Sequence, residues 1–253
     1  MGDASGPARA TLNARAASFG VAAATYERGR PLYPEAAIEW LLPPGAAARV
    51  LDLGAGTGKL TRQLRERGLD VVAVEPSRGM REQLAAGLPD VTLLAGTAEA
   101  IPLDDHTVDA VLVAQAWHWV DPTLAVPEVA RVLSPGGSLG LIWNIRDERE
   151  EWVAQLGRIM HAHGDEDTGA PSPVIGAPFG PISRHEVEWT YRLSGEALLD
   201  LVASRSYVIT LADPERAAIL DEVRALLATH PALAGGHKVR LPYITACFRA
   251  ELI

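Results

Sequence analysis

The 253-residue chain is 48% hydrophobic with a formal net charge of −9, so it can bury a substantial core and argues against a broad nucleic-acid-binding surface. A single cysteine, Cys247, excludes an intrachain disulfide framework and fits a reducing interior. There is no secretory pattern, lipidation motif or apolar run of about 18 residues, so a cytoplasmic protein without a membrane partner is expected.

Residues 1–17, rich in Ala, Gly and Arg, carry no long-range pattern and are expected to be a mobile tail. The segment 18–45 is expected to form an N-terminal cap. Within it Phe19 to Tyr26 suits a short helix, and Arg30-Pro31-Leu32-Tyr33-Pro34 is stiff because each proline fixes its own φ and restricts its predecessor. Pro34 suits the first turn of a helix through Ile38, Trp40 and Leu41, which Pro43-Pro44-Gly45 stops. From Arg49 short apolar runs alternate with helical stretches. Strands are predicted near 49–53, 70–74, 91–95, 108–114 and 137–143, and helices near 59–67, 78–87 and 122–133. This β-α-β rhythm over 46–145 implies a parallel sheet covered on both faces, whose right-handed crossovers bring together the loops after Leu53, Val74, Leu94 and Val113. After Trp143 the rhythm fails. Asp147 to His163 reads as a charged helix and Gly164 to Pro181 lacks periodicity, making 146–181 a helix and a lid-like loop. In 182–253, Ile182 to Leu193 alternates like a strand and Glu196 to Ser204 is helical. Asp213-Pro214 caps a helix that carries Ile219, Leu220, Val223, Leu226 and Leu227 on one face, and Lys238 to Ala250 makes a final strand that completes the core.

The most informative stretch is Val50 to Leu60, VLDLGAGTGKL. An apolar run enters a glycine-rich turn and Leu60-Thr61-Arg62-Gln63-Leu64 begins a helix, the geometry in which backbone amides approach a nucleotide-type ligand. Two ligands compete: a dinucleotide such as NAD, or S-adenosylmethionine. A dinucleotide turn requires a small residue three places after its second glycine, so that helix and strand pack closely; counted from Gly54 and Gly56 that place holds Lys59. Glycine falls at 58 instead. Glu75 stands 21 residues after Gly54, where a carboxylate can accept hydrogen bonds from ribose hydroxyls, which both ligands possess.

With these residues in place, Val50 to Leu60, Val71 to Pro76 and Leu94 to Pro102 resemble the successive motifs of class I S-adenosylmethionine-dependent methyltransferases. Asp109 to Trp119 and Leu133-Ser134-Pro135-Gly136-Gly137-Ser138-Leu139 are similar to the type 11 group, which includes trans-aconitate and quinone methyltransferases. The resemblance covers residues 20 to 145. It implies an α/β Rossmann-like sheet of seven mostly parallel strands, with helices on both faces and a small helical cap. It also implies S-adenosyl-L-methionine as cofactor, S-adenosyl-L-homocysteine as its product, and a small molecule as acceptor, in a monomer or homodimer with no nucleic-acid partner. Residue by residue, Asp52 and Gly54, Ala55, Gly56, Thr57 and Gly58 would hold the methionine moiety, Glu75 the ribose diol, and Pro76 and Met80 the adenine side. Gly96, Thr97, Ala98 and Glu99 would meet the adenine edge, although many relatives carry Asp where Thr97 stands. Gln115 and Ala116 would lie near the transferable methyl, and Tyr26 and Arg30 resemble a segment that closes over the cofactor. The alternatives are a nicotinamide-dependent oxidoreductase, disfavoured by Lys59, and a non-catalytic cofactor-binding regulator.

Methyl transfer from a sulfonium is an in-line displacement in which the protein aligns the acceptor and excludes water. A carboxylate acceptor is ionised at neutral pH and needs no base, whereas a hydroxyl or carbon acid usually needs one. His118, within Trp117-His118-Trp119 after the fourth strand, is the candidate base or acceptor-orienting group; its other reading is a structural histidine between core tryptophans. The tryptophans themselves suit an acceptor wall, a cation–π contact or core packing. His161, His163, Asp165, Glu166 and Asp167 have no recognisable metal spacing, so no metal is expected. Tyr26, Arg28, Arg30, Arg146 and Arg149 could donate to an anionic acceptor, and the Asn/Asp-Pro-Pro-Tyr motif of methyltransferases acting on nucleobase amino groups is absent.

Overall fold

The computed structural model describes residues 30–42, 49–162, 172–209, 211–233 and 238–253. The predicted helix at Phe19 to Tyr26, the tail, Pro43-Pro44-Gly45 and the acidic run after His161 lie outside the described residues. In chain order the elements are α1 (Glu35–Leu41), β1 (Arg49–Leu53), α2 (Lys59–Glu66), β2 (Asp70–Val74), α3 (Arg78–Gly87), β3 (Thr92–Leu94) and β4 (Val108–Ala114). They continue with a 3-10 turn (Trp117–Trp119), α4 (Pro122–Val132), β5 (Leu133–Arg146), α5 (Glu151–Ala162), β6 (Ser183–Leu193), α6 (Gly195–Ala203), α7 (Ser206–Ile209), α8 (Asp213–Thr229) and β7 (Val239–Glu251).

The seven strands form one sheet in the order β3-β2-β1-β4-β5-β7-β6. β1 pairs in parallel with β2 and β4, β2 with β3, and β4 with β5. This is the expected Rossmann-like architecture, and its central strands read as continuous apolar runs because both faces are covered. By contacts the chain divides into two compact units. The first comprises the described residues 32–42, 49–144, 172–187 and 245–253; the second comprises 30–31, 145–162, 188–209, 211–233 and 238–244.

In the first unit the register is tight: Leu53 pairs with Val74 and Val74 with Leu94, while Asp52 pairs with Leu112. The four strand ends therefore finish along one edge, as the crossover rule requires. Leu60 and Leu64 bury one face of α2 against α1 residues Ala37, Ile38 and Leu41 and against Val50 and Val71. A buried reciprocal pair ties in the proline segment: Tyr33 N donates to Gln63 Oε1 at 3.0 Å, and Gln63 Nε2 donates to Tyr33 O at 2.7 Å. Cys247 is a free thiol in this core, and burial pushes its pKa up to about 12. β5 starts at Leu133, earlier than the predicted 137, because Leu133 already pairs with Val108 across a register shift.

The second unit packs α5, α6 and α8 on Tyr243, Leu241 and Val239 of β7. Ser194 caps α6 by accepting from Ala197 N at 3.0 Å. At α8 the cap differs from the sequence reading: Asp213 and Pro214 stand inside the first turn, and the Glu215 side chain accepts from Ala212 N at 3.2 Å. Among the described residues no helix is long and apolar enough to cross a membrane.

Candidate active site

The turn between β1 and α2 is built almost entirely from main chain. Gly54 N and Ala55 N both donate to Val74 O, at 2.8 and 3.1 Å, so the turn begins by extending the parallel ladder. Gly58 N then donates back to Ala55 O at 2.9 Å. Gly56 has φ +58, and a Cβ added there would meet nothing within 4 Å, which leaves that backbone face open to approach. Gly58 has φ +90, and an added Cβ would stand 2.9 Å from Leu84 Cγ, so the turn also packs tightly against α3. The small residue needed for close packing is thus Gly58, and Lys59 opens α2.

Asp52 lies beneath this turn with 0% exposure. Its Oδ2 accepts from Thr61 Oγ1 at 2.5 Å, while Oδ1 is buried and has no hydrogen-bond partner among the described residues. Burial pushes the Asp52 pKa up to about 7; the hydrogen bonds from the Thr61 side chain and backbone oppose the rise, and the Glu75 charge adds to it. Glu75, 7% exposed, sits at the end of β2. Its Oε2 accepts from Gly56 N at 2.9 Å and its Oε1 from Ser77 N at 2.7 Å. Burial raises its pKa, opposed by these two backbone donors and by Arg81. Arg81 Nη1 in turn donates to the carbonyls of Glu75 and Pro76, at 2.7 and 2.8 Å. Glu75 therefore pins the glycine turn, and each of its oxygens keeps a second lone pair for a further donor.

The remaining expected residues follow from the next loops. Pro76 is exposed and Met80 buried on α3. Ala98 is buried beside exposed Thr97, which bridges to Ala100; Glu99 Oε1 accepts from Asp121 N at 3.0 Å, fixing the loop that carries it to the start of α4. After β4, Gln115 adopts φ +57, an uncommon conformation for a non-glycine residue. Its N–H donates to Ile142 O at 2.9 Å and its Nε2 to Asn144 O at 3.2 Å. A Cβ added at Gly54 would lie 3.0 Å from Ala116 Cβ, so this loop abuts the glycine turn. Trp117 is buried, its Nε1 donating to Val174 O at 3.4 Å, whereas His118 is exposed with its ring 4.9 Å from that of Trp119.

Tyr26 and Arg28 lie outside the described residues. Arg30 belongs to the second unit, where its Nη2 donates to Ser204 O at 3.5 Å. In that unit Arg149 binds Asp147 through both carboxylate oxygens and also reaches Glu188, at 2.6 Å. His161 lies 3.9 Å from Glu148. Thr61, Ser77 and Arg81 were not anticipated from sequence. Thr61 had a readable signal: it is a β-branched polar residue on the buried face of a helix, nine positions after a buried aspartate.

A buried carboxylate oxygen without a partner calls for a cation or donor. An open glycine face admits close approach, and a second carboxylate with spare lone pairs suits a diol. The residues present therefore fit a ligand that combines an ammonium group with a ribose.

Comparison with known proteins agrees with this geometry. Residues 51–141 match the family described as methyltransferase domain. The chain is similar to an uncharacterised methyltransferase of Mycobacterium tuberculosis, 61% identical over 235 residues that cover 93% of this chain and 96% of the relative. It is also similar to an uncharacterised methyltransferase-like protein of Schizosaccharomyces pombe, 32% identical over 246 residues covering 92% and 95%. Among solved structures, an inferred type II methyltransferase from Anaeromyxobacter dehalogenans superposes with a TM-score of 0.61 at 26% identity, covering 88% of this chain and 98% of that one.

Proposed function

From a chain that belongs to the class I S-adenosylmethionine-dependent methyltransferases of the type 11 group, we propose a methyl transfer to a small-molecule acceptor, with the donor held by the turn after β1 and the loops after β2, β3 and β4. When bound, the cofactor supplies a sulfonium-activated methyl group. Asp52 Oδ1 accepts from its ammonium group, and the backbone of Gly54 to Gly58 lines its methionine chain. Glu75 accepts from the ribose diol while it continues to hold Gly56 N. Pro76, Met80, Thr97 and Ala98 flank the adenine, and Glu99 keeps that loop in place through Asp121. Gln115 and Ala116 bound the methyl side. His118, exposed on the loop after β4, orients the acceptor or takes its proton where the acceptor is a hydroxyl or carbon acid. The acidic balance of the chain favours a small molecule over a nucleic acid.

The observation that carries this reading is the buried Oδ1 of Asp52, without a hydrogen-bond partner among the described residues, beneath a glycine turn that Glu75 pins. Calorimetric titration tests it. S-adenosylhomocysteine binds the wild type and NAD does not, and Asp52→Ala weakens the binding by about tenfold or more, as expected for loss of a charged hydrogen bond. His118→Ala leaves this affinity unchanged and lowers turnover. Equal binding by Asp52→Ala and wild type would remove Asp52 from the site.

A further inference from the structure

Beside the glycine turn, a chain of polar side chains joins the loop after β4 to β5, β7 and the proline segment. Gln115, which follows β4, adopts φ +57; among the described residues the other non-glycine residue with positive φ is His106. Glycine takes this conformation without strain, so a glutamine kept there has to be held by its contacts. Those contacts lead to β5. Gln115 N donates to Ile142 O at 2.9 Å and Gln115 Nε2 to Asn144 O at 3.2 Å, so main chain and side chain of one residue are tied to the same strand. Asn144 is fixed in turn by its own side chain. Its Nδ2 donates to Leu32 O at 3.2 Å, and its Oδ1 accepts from Thr245 Oγ1 of β7 at 2.6 Å, with Thr245 0% exposed. Leu32 precedes Tyr33, which Gln63 of α2 already holds. Three segments of the first unit, remote from one another in sequence, therefore meet at Asn144.

The partners dictate which way each amide is turned. Leu32 O and Asn144 O are main-chain carbonyls, which can only accept, so Asn144 Nδ2 and Gln115 Nε2 must face them. Asn144 Oδ1 is then left to accept from the Thr245 hydroxyl, as it does. At half-buried Gln115 the same logic commits the nitrogen to β5 and leaves the oxygen: Oε1, on the other branch of the planar amide, accepts no hydrogen bond among the described residues. On its other side β4 neighbours β1, which ends in the glycine turn, and the next residue, Ala116, has its Cβ 3.0 Å from the position of a Cβ added at Gly54.

We propose that Gln115 presents Oε1 to the sulfonium methyl of the donor and so makes the site prefer the charged donor to its neutral product, with Asn144 and Thr245 as positioning residues that hold the amide in this orientation. The proposal rests on the methyltransferase reading above, which puts the methyl beside Gln115 and Ala116. S-adenosylmethionine and S-adenosylhomocysteine share every group that Asp52, Glu75 and the glycine turn would contact. They differ in the methyl and in the positive charge that it shares with sulfur. An amide oxygen attracts both through C–H···O contacts and charge–dipole attraction, and it gains neither from a thioether. An attraction of this kind corresponds to about threefold in affinity. It favours exchange of spent product for fresh donor without altering how the rest of the ligand is held.

The test is the ratio of two affinities, measured by calorimetric titration of the full-length protein with S-adenosylmethionine and with S-adenosylhomocysteine in the absence of any acceptor. Gln115→Leu, which removes the oxygen, lowers the affinity for S-adenosylmethionine relative to S-adenosylhomocysteine by about threefold and leaves the latter unchanged. Should that variant fail to fold, Gln115→Asn, a residue type that tolerates positive φ, withdraws the amide by one methylene and moves the ratio in the same direction. Thr245→Val, which leaves Asn144 Oδ1 without its donor, moves it the same way by a smaller factor. A ratio that stays at the wild-type value in the Gln115 variants, or an equal loss of affinity for both ligands, would overturn the proposal, since a merely structural role weakens the two alike. A wild-type ratio in Thr245→Val beside a lowered one in Gln115→Leu would overturn the positioning role of Thr245 and Asn144. Failure of both ligands to bind the wild type would instead count against the donor site, so the two failures are distinguishable.

Discussion

The glycine turn of the first unit and the aromatic cluster of Trp189, Tyr191 and Tyr243 in the second both set polar groups in apolar surroundings, but they are built by opposite means. The turn is main chain: Gly54, Ala55, Gly56 and Gly58 donate their own N–H groups to Val74, Glu75 and Ala55, and the two carboxylates that complete it end adjacent parallel strands. The cluster is side chain: Tyr243 stacks on Trp189 with ring centroids 5.3 Å apart and meets Tyr191 edge-on at 6.5 Å, residues drawn from two strands far apart in sequence. A site of the first kind is inseparable from the fold that carries it. One of the second kind can be altered while the fold persists, which is the freedom a family needs if it keeps one donor and changes acceptors.

The largest expected effect follows at Gly58. Valine there has to accept φ +90 and intrude on Leu84, whose Cγ is 2.9 Å from the position of an added Cβ. Left-handed strain and overpacking together cost about 4 kcal/mol, read as a lower denaturation midpoint, and cofactor binding falls with it. A Gly58→Val protein of unaltered stability would show that the turn is not the rigid frame described above.

Asp52 gives the next effect, and its sign is opposite for stability and for binding. Its pKa is raised from 3.8 to about 7, so between these values the folded protein holds more protons than the unfolded chain. Stability of the cofactor-free protein therefore falls as pH rises across that window and levels off above it, by at most about 4 kcal/mol at 1.36 kcal/mol per unit. Asp52→Asn removes this slope and is more stable than wild type at pH 8, yet binds S-adenosylhomocysteine more weakly, because the ammonium group favours the ionised carboxylate. Wild-type affinity correspondingly rises between pH 6 and 8. Urea titrations and calorimetry at several pH values check both signs; a stability profile with the same slope in wild type and Asp52→Asn would exclude Asp52 as its source.

The same contrast explains what could be read from the sequence. The strands at 49–53, 70–74 and 108–114 are found with those bounds because apolar runs, glycine breaks and helical repeats are local signals. Asp52, Gly54 to Gly58 and Glu75 were legible for the same reason: spacing along a strand–turn–helix unit dictates where they meet. What escaped depends on contacts distant in the chain or on choices among neighbours. Ser134-Pro135-Gly136-Gly137 are poor strand formers, yet Leu133 is already paired with Val108, so β5 starts before them. Asp213 is as good a cap by type as any residue, but Glu215 makes the bond. Gln63 and Tyr33 find each other across 30 positions, and nothing in either segment announces the partner.

Arg146 and Arg149 show that limit most plainly, and they supply the smallest expected effect. By sequence they are equivalent cations that could donate to an anionic acceptor. In the structure Arg149 is committed to Asp147 and Glu188 at the exposed surface, which lowers the pKa of Asp147, whereas the half-buried Arg146 acts on Tyr243. Exposed ion pairs contribute little because solvent screens them and ordering the side chains opposes them. Arg149→Ala is therefore expected to leave the melting temperature within experimental error of wild type, which thermal denaturation checks. A clear fall in the melting temperature of Arg149→Ala would show that the surface network with Asp147 and Glu188 holds this unit together and would dissolve the distinction between the two arginines.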